Sequence, residues 1–148
     1  MNKPTVIHTT LIAPCGMNCA LCHAYRPGKS YIKACPGCRA EDDQKSRSCV
    51  KCRIKNCEKI VQGGIKYCFS CASYPCALLT HLDKRYRIRY GMSMIDNLES
   101  IKRSGIRHFV RAETDKWKCP HCGNTICVHK PHCLSCGYLW RERINSEK

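Results

Sequence analysis

The chain is short of the residues that usually make a protein interior. Val, Ile, Leu and Phe together supply 27 of 148 residues, about 18%, and only two residues are Phe and two are Trp. So small an apolar fraction combined with a high net charge is normally the composition of a disordered chain. Acidic residues are also scarce, with 11 Asp and Glu against 26 Lys and Arg, and the formal charge is +15. No run approaches the roughly 18 apolar residues of a membrane span, and Met1 to His8 lack the apolar stretch of a signal peptide. No P-loop and no G-x-G-x-x-G is present, and the carboxylates are scattered except at Glu41, Asp42 and Asp43. These absences leave no hydrolytic or nucleophilic constellation, no small-molecule substrate site and no membrane role to argue for, and the chain reads as cytosolic and non-catalytic.

What is abundant is cysteine, 16 residues or roughly 11% of the chain. In a reducing cytosol closely spaced cysteines serve as metal ligands far more often than as disulfides, because a metal captures the thiol as thiolate. Sulfur-bound ions therefore stand in for the missing apolar interior. Sixteen thiolates around four divalent ions would lower the charge to about +7, which still attracts polyanions.

Cysteine positions divide the chain. Eleven lie between Cys15 and Cys76, none between Ala77 and Lys118, and five between Cys119 and Cys136. The expected architecture is a small metal-stabilised irregular α+β fold. It comprises a cysteine-rich metal-binding domain over 1–76, an amphipathic helical bridge over 77–116 and a zinc ribbon over 117–148. In the bridge, Leu78, Leu79, Leu82, Tyr86 and Tyr90 recur at helical spacing, and Gly91 ends that helix. Ser93, with Asp96 three residues on, caps a second helix striped by Met94, Ile95, Leu98 and Ile101 as far as Gly105. A third runs from Ile106 through Phe109 and Val110 to about Thr114.

The sharpest ligand pattern is Cys119-Pro120-His121-Cys122-Gly123 followed by Cys133-Leu134-Ser135-Cys136-Gly137. A C-x2-C turn presents two thiolates to one ion, the following glycine lets the backbone turn, and two such turns make a closed, structural four-thiolate zinc site. Ile126, Cys127 and Val128 read as a short strand between them, with Cys127 a small core residue rather than a ligand.

In the N-terminal block, Cys15, Cys19 and Cys22 form a C-x3-C-x2-C loop, followed by Cys35 and Cys38. Three close thiolates and a remote fourth suit zinc or a [4Fe–4S] cluster, and spacing does not choose between them. The same triplet occurs in radical S-adenosylmethionine enzymes, whose large partial barrel this chain is too short to build. Cys49, Cys52 and Cys57 repeat as Cys68, Cys71 and Cys76 at an offset of nineteen residues, with Gly63-Gly64 as a turn between the copies. His23 and His81 are candidate additional ligands.

Arg85, Arg89, Arg103, Arg107 and Arg111 are candidate nucleic-acid contacts. Arg103, Arg107 and Arg111 would line one side if the helix axis continued through Gly105, although such rows are ordinarily solvated faces. Trp117, Tyr138 and Trp140 are available for base stacking. The function expected from these features is a multi-zinc protein whose basic helices and ribbon bind nucleic acid or a ribonucleoprotein. The alternatives are an iron–sulfur redox or oxygen-sensing protein with its cluster on Cys15, Cys19, Cys22 and Cys35 or Cys38, and a protein–protein adaptor.

Ala13-Pro14-Cys15-Gly16-Met17-Asn18-Cys19-Ala20-Leu21-Cys22, Cys35-Pro36-Gly37-Cys38-Arg39 and Cys68-Phe69-Ser70-Cys71-Ala72-Ser73-Tyr74-Pro75-Cys76 resemble the opening, second and closing motifs of a cysteine-rich family called domain of unknown function thirty-seven ninety-five. The stretch from Ile101 to Gly123 is similar to longer members that end in a ribbon. The resemblance implies a metal-binding fold and its ligands, with no established activity.

Overall fold

The computed structural model describes residues 7–22, 37–39 and 50–141. His23, Cys35 and Cys49 lie outside them. Four α-helices are present among the described residues: α1 (Glu58–Val61), α2 (Ala77–Tyr90), α3 (Met94–Ser104) and α4 (Ile106–Lys116). Single 3₁₀ turns occupy Thr9–Leu11, Cys19–Leu21 and Cys68–Ser70.

The helix boundaries follow from identifiable residues. Gly91 closes α2 in the left-handed conformation at φ 69°. The Ser93 hydroxyl accepts the Asp96 N–H at 3.0 Å, which satisfies one of the unpaired donors of the first turn of α3 and contributes about 1 kcal/mol. Gly105, at φ 90° and ψ 158°, ends α3 and starts α4 along a new direction. That break separates Arg103 from Arg107 and Arg111, so the three do not lie along one helix.

The core collects apolar side chains from distant parts of the chain. Ile12, Leu21, Leu79, Met94, Leu98 and Val128 are fully buried, and Met17, Ile101, Phe109, Trp117, Cys15, Cys19, Cys119 and Cys133 join the same cluster. α3 is the central helix, packing against α2, against α4 and against the Cys68–Ser70 turn, while α4 also packs on the Thr9–Leu11 turn. The loop from Ala13 to Asn18 lies on the start of α3. A Cβ built on Gly16 would sit 2.6 Å from the Met94 carbonyl oxygen, and the residue has φ +93°, so only glycine fits there. Asn97 Nδ2 donates to the Gly16 carbonyl at 2.9 Å and fastens the contact.

The expected β component is not found. Among the described residues there is no strand, only isolated bridges joining Ile12 to Asn18, Lys118 to Thr125 and His132 to Leu139. The described fold is mostly helical rather than α+β, and a ribbon is not shown. The reason lies in where the backbone donors go. The Ile126 N–H bonds the Trp117 carbonyl at 2.8 Å, and the Val128 N–H bonds the Leu21 carbonyl of the N-terminal segment at 2.9 Å. Trp140 and Arg141 both donate to the Pro131 carbonyl, so no ladder extends past the two turns. Ile126, Cys127 and Val128 are all buried, without the alternation of a strand that has one wet face. No described helix is long and apolar enough to cross a membrane.

Candidate metal centre

The two C-x2-C turns of the C-terminal segment are built alike. In the first, the Cys119 N–H donates to the Asn124 carbonyl at 2.8 Å and the Gly123 N–H to the Cys119 carbonyl at 2.9 Å. In the second, the Cys133 N–H donates to the Tyr138 carbonyl and the Gly137 N–H to the Cys133 carbonyl, each at 2.8 Å. Gly123 and Gly137 both have φ 83°, the left-handed backbone that closes each turn and that other residues adopt only at a cost.

The turns bring four free thiols together. Cys119 Sγ lies 3.7 Å from Cys136 Sγ, Cys122 Sγ lies 3.6 Å from Cys133 Sγ, and all four sulfurs are within 4.8 Å of one another. A tetrahedral ion with metal–sulfur bonds of about 2.3 Å separates its sulfurs by about 3.8 Å. The cluster thus has the dimensions of a single-ion, four-thiolate site that leaves no coordination position for a substrate. Burial raises the Cys119 thiol, but the N–H groups of Cys122 and His121 and the neighbouring Cys136 and Cys133 thiols bring it down to about 7. At Cys136 the Tyr138 N–H pulls downward, and burial together with the other three thiols pushes the group up to about 12. Cys119 therefore gives up its proton more readily than Cys136. Cys127 is fully buried and stands apart from the four, as a core side chain.

The described N-terminal cysteines gather in two adjoining groups that meet at Cys68, whose N–H bonds the Pro14 carbonyl beside Cys15. Cys15 is buried in the loop before Asn18 and Cys19 in the 3₁₀ turn after it, and the Cys38 N–H donates to Cys19 Sγ at 3.3 Å. The Cys19 thiol is held well above its ordinary value by its hydrogen bond with the Cys38 thiol and then by burial. Burial raises the Cys15 thiol to about 12, opposed by the Met17 N–H and reinforced by Cys38, Cys52 and Cys68. The second group comprises Cys57, Cys68, Cys71 and Cys76, which line one cavity. Burial and the nearby Cys76, Cys57 and Cys71 push the Cys68 thiol up to about 11. Cys57 and Cys76, the third cysteines of the nineteen-residue repeat, occupy equivalent places as the N-cap residues of α1 and α2. Cys22 is half-buried, and Cys52 lines an open cleft of about 520 Å³ with Arg53, His81 and Arg85, which adjoins the Cys76 cavity through the shared walls Ile54 and Leu78.

Arg85, Arg89, Arg103, Arg107 and Arg111 are all exposed. The three aromatic residues expected to stack on bases differ. Trp117 is buried and is not available: its Nε1 donates to Glu113 Oε1 at 3.1 Å and its ring meets Trp140 edge-on. Trp140 is half-buried with Nε1 on the Lys130 carbonyl, while Tyr138 is exposed and stacks on His121.

Sequence reasoning missed two buried carboxylates that organise the helices. Asp83 accepts from Ser93 Oγ at 2.6 Å, the Ile95 N–H at 2.9 Å and Arg87 Nε at 2.8 Å. Glu113 accepts from Asn18 and Trp117. Both sit in apolar positions of otherwise amphipathic helices, the one signal that could have marked them.

No curated protein and no solved structure matches the chain. Residues 11–81, the segment that carries the described N-terminal cysteines, match the family described as protein of unknown function (DUF3795).

Proposed function

We propose that the chain is a non-catalytic metal-binding protein in which Cys119, Cys122, Cys133 and Cys136 hold zinc as a structural ion and the exposed arginines of α2, α3 and α4 bind nucleic acid. The observation that carries the zinc reading is the pair of sulfur separations of 3.7 Å and 3.6 Å, the edge length of a closed tetrahedral site. A closed site with Cys119 and Cys133 in the core supports folding rather than turnover. The nucleic-acid reading is supported by the formal charge of +15 and by the removal of Asp83 and Glu113 from the helix surfaces into the interior, which leaves those surfaces more basic. The five arginines would contact phosphates, with Tyr138 at the edge of the metal site as a stacking surface.

Titration of a labelled single-stranded RNA at several salt concentrations tests this reading. Binding should weaken steeply as salt rises, and changing Arg103, Arg107 and Arg111 to Glu should weaken it further and flatten the salt dependence. Absence of salt-sensitive binding would remove nucleic acid as the partner and leave a protein–protein adaptor.

A further inference from the structure

We propose that Cys57, Cys68, Cys71 and Cys76 form a second metal centre, one that takes a [4Fe–4S] cluster rather than a single ion. The four thiols line one cavity of about 40 Å³, with Ile54, Ile60, Leu78 and Leu79 among the other walls. That volume is several times the roughly 10–15 Å³ a single water needs, and the wall is almost wholly apolar apart from sulfur. Among the described residues, only the C-terminal four bring their sulfurs within 4.8 Å of one another, so Cys57, Cys68, Cys71 and Cys76 stand further apart than a single-ion tetrahedron. A cubane suits the wider spacing, because each cysteine sulfur binds a different iron at a different corner.

The surroundings suit the charge. Four thiolates on a 2+ core carry a net negative charge, and two cations stand close. Lys59 lines the cavity, and Arg39, near Cys68, is fixed by donating to the Ile12 and Lys66 carbonyls. Cys76 stands at the N-cap of the fourteen-residue helix α2, where the helix dipole favours negative charge. Uptake is a ligand exchange: each Sγ gives its proton to a departing small thiolate and forms a bond to iron, and the core keeps its oxidation state.

This inference rests neither on the zinc reading of the C-terminal thiols nor on nucleic-acid binding. Its test uses the full chain, incubated without oxygen with a synthetic [4Fe–4S]2+ cluster ligated by small thiolates. Iron and sulfide per chain are then measured, and alkylation of each cysteine is mapped by mass spectrometry before and after loading. The expected result is a brown protein in which Cys57, Cys71 and Cys76 lose their reactivity on loading while Cys136 does not change. Cys71→Ser should abolish the loading yet keep the zinc of the C-terminal site, which shows that the variant is folded. Iron uptake that shields Cys15, Cys19 and Cys38 instead, full loading of Cys71→Ser, or zinc shielding all four thiols with no cluster uptake would each overturn the proposal.

Discussion

Asn18 and Glu113 are 95 residues apart in the chain, and Asn18 Nδ2 donates to Glu113 Oε1 at 3.1 Å inside the core. The same carboxylate oxygen accepts from Trp117 Nε1 at 3.1 Å, and the other end of the Asn18 side chain accepts the Ala20 N–H at the turn that carries Cys19. One buried carboxylate thus joins the first cysteine loop, α4 and the residue that leads into the C-terminal four-thiol cluster.

Burial raises the Glu113 carboxyl above its ordinary value despite its two donors and the nearby Lys116. An acid whose folded pKa is raised stabilises most when protonated, so its contribution is full below the unfolded value of about 4.3 and declines as pH rises through the folded value. Glu113→Gln should flatten that decline while keeping an acceptor for Asn18 and Trp117. Glu113→Ala, which leaves two buried donors without a partner, should cost on the order of 2 kcal/mol or more. Denaturant midpoints measured from pH 4 upward check both outcomes.

Asp83 has the opposite sign. Burial opposes its ionisation, but Ser93, the Ile95 N–H and Arg87 outweigh it and hold the carboxyl below its ordinary value. Its stabilisation is present above the unfolded value of about 3.9 and is lost as pH falls through the folded value. Asp83→Ala should cost about 3 kcal/mol, since the buried Ser93 hydroxyl loses its acceptor and the α2–α3 corner loses its tie. Asp83→Ala should therefore begin acid unfolding at a higher pH than wild type, while wild type loses more of its stability between neutral and acid pH, and denaturant midpoints measured across that range check both outcomes.

The contrast between Gly16 and Gly105 predicts unequal costs for the same change. Gly16→Ala drives a Cβ onto the Met94 carbonyl at 2.6 Å, whereas at Gly105 a Cβ meets nothing within 4 Å. Both residues have positive φ, so each alanine carries a backbone penalty of about 1–3 kcal/mol, and Gly16→Ala adds the displacement of α3. Thermal unfolding should show the larger loss at Gly16 by at least a further 1 kcal/mol or so.

Much of the helical part was legible because it depends on local chemistry. Gly91, Ser93 with Asp96, and Gly105 mark ends that need only a few neighbouring residues to define them, and the apolar spacing of Met94, Leu98 and Ile101 is complete within one helix. The two C-terminal turns were legible for the same reason. What was not legible depends on partners far along the chain. Val128 was read as part of a strand because nothing near it reveals that Leu21 takes its N–H. Trp117 was read as an exposed stacking surface because Glu113 and Trp140, which bury it, are visible only in the fold. The grouping of Cys57 with Cys68, Cys71 and Cys76 cuts across the sequence repeat, which would have kept Cys57 with Cys52.

Metal binding at the C-terminal thiols should weaken as pH falls. Cys119 sits at about 7 and Cys136 at about 12, so binding at neutral pH releases protons, and acid returns them to sulfur in competition with the ion. Competition with a chromophoric chelator, buffered from pH 6 to 8, should show affinity rising with pH by more than tenfold per unit, as expected when more than one proton leaves per ion.

The most direct test is zinc content per chain, by elemental analysis under reducing conditions, for the parent protein and for Cys122→Ser combined with Cys136→Ser. The account predicts that the double variant carries about one zinc fewer, as a single closed tetrahedral site requires, while α2 and α3 persist in its circular dichroism. Equal zinc in the two proteins would contradict it.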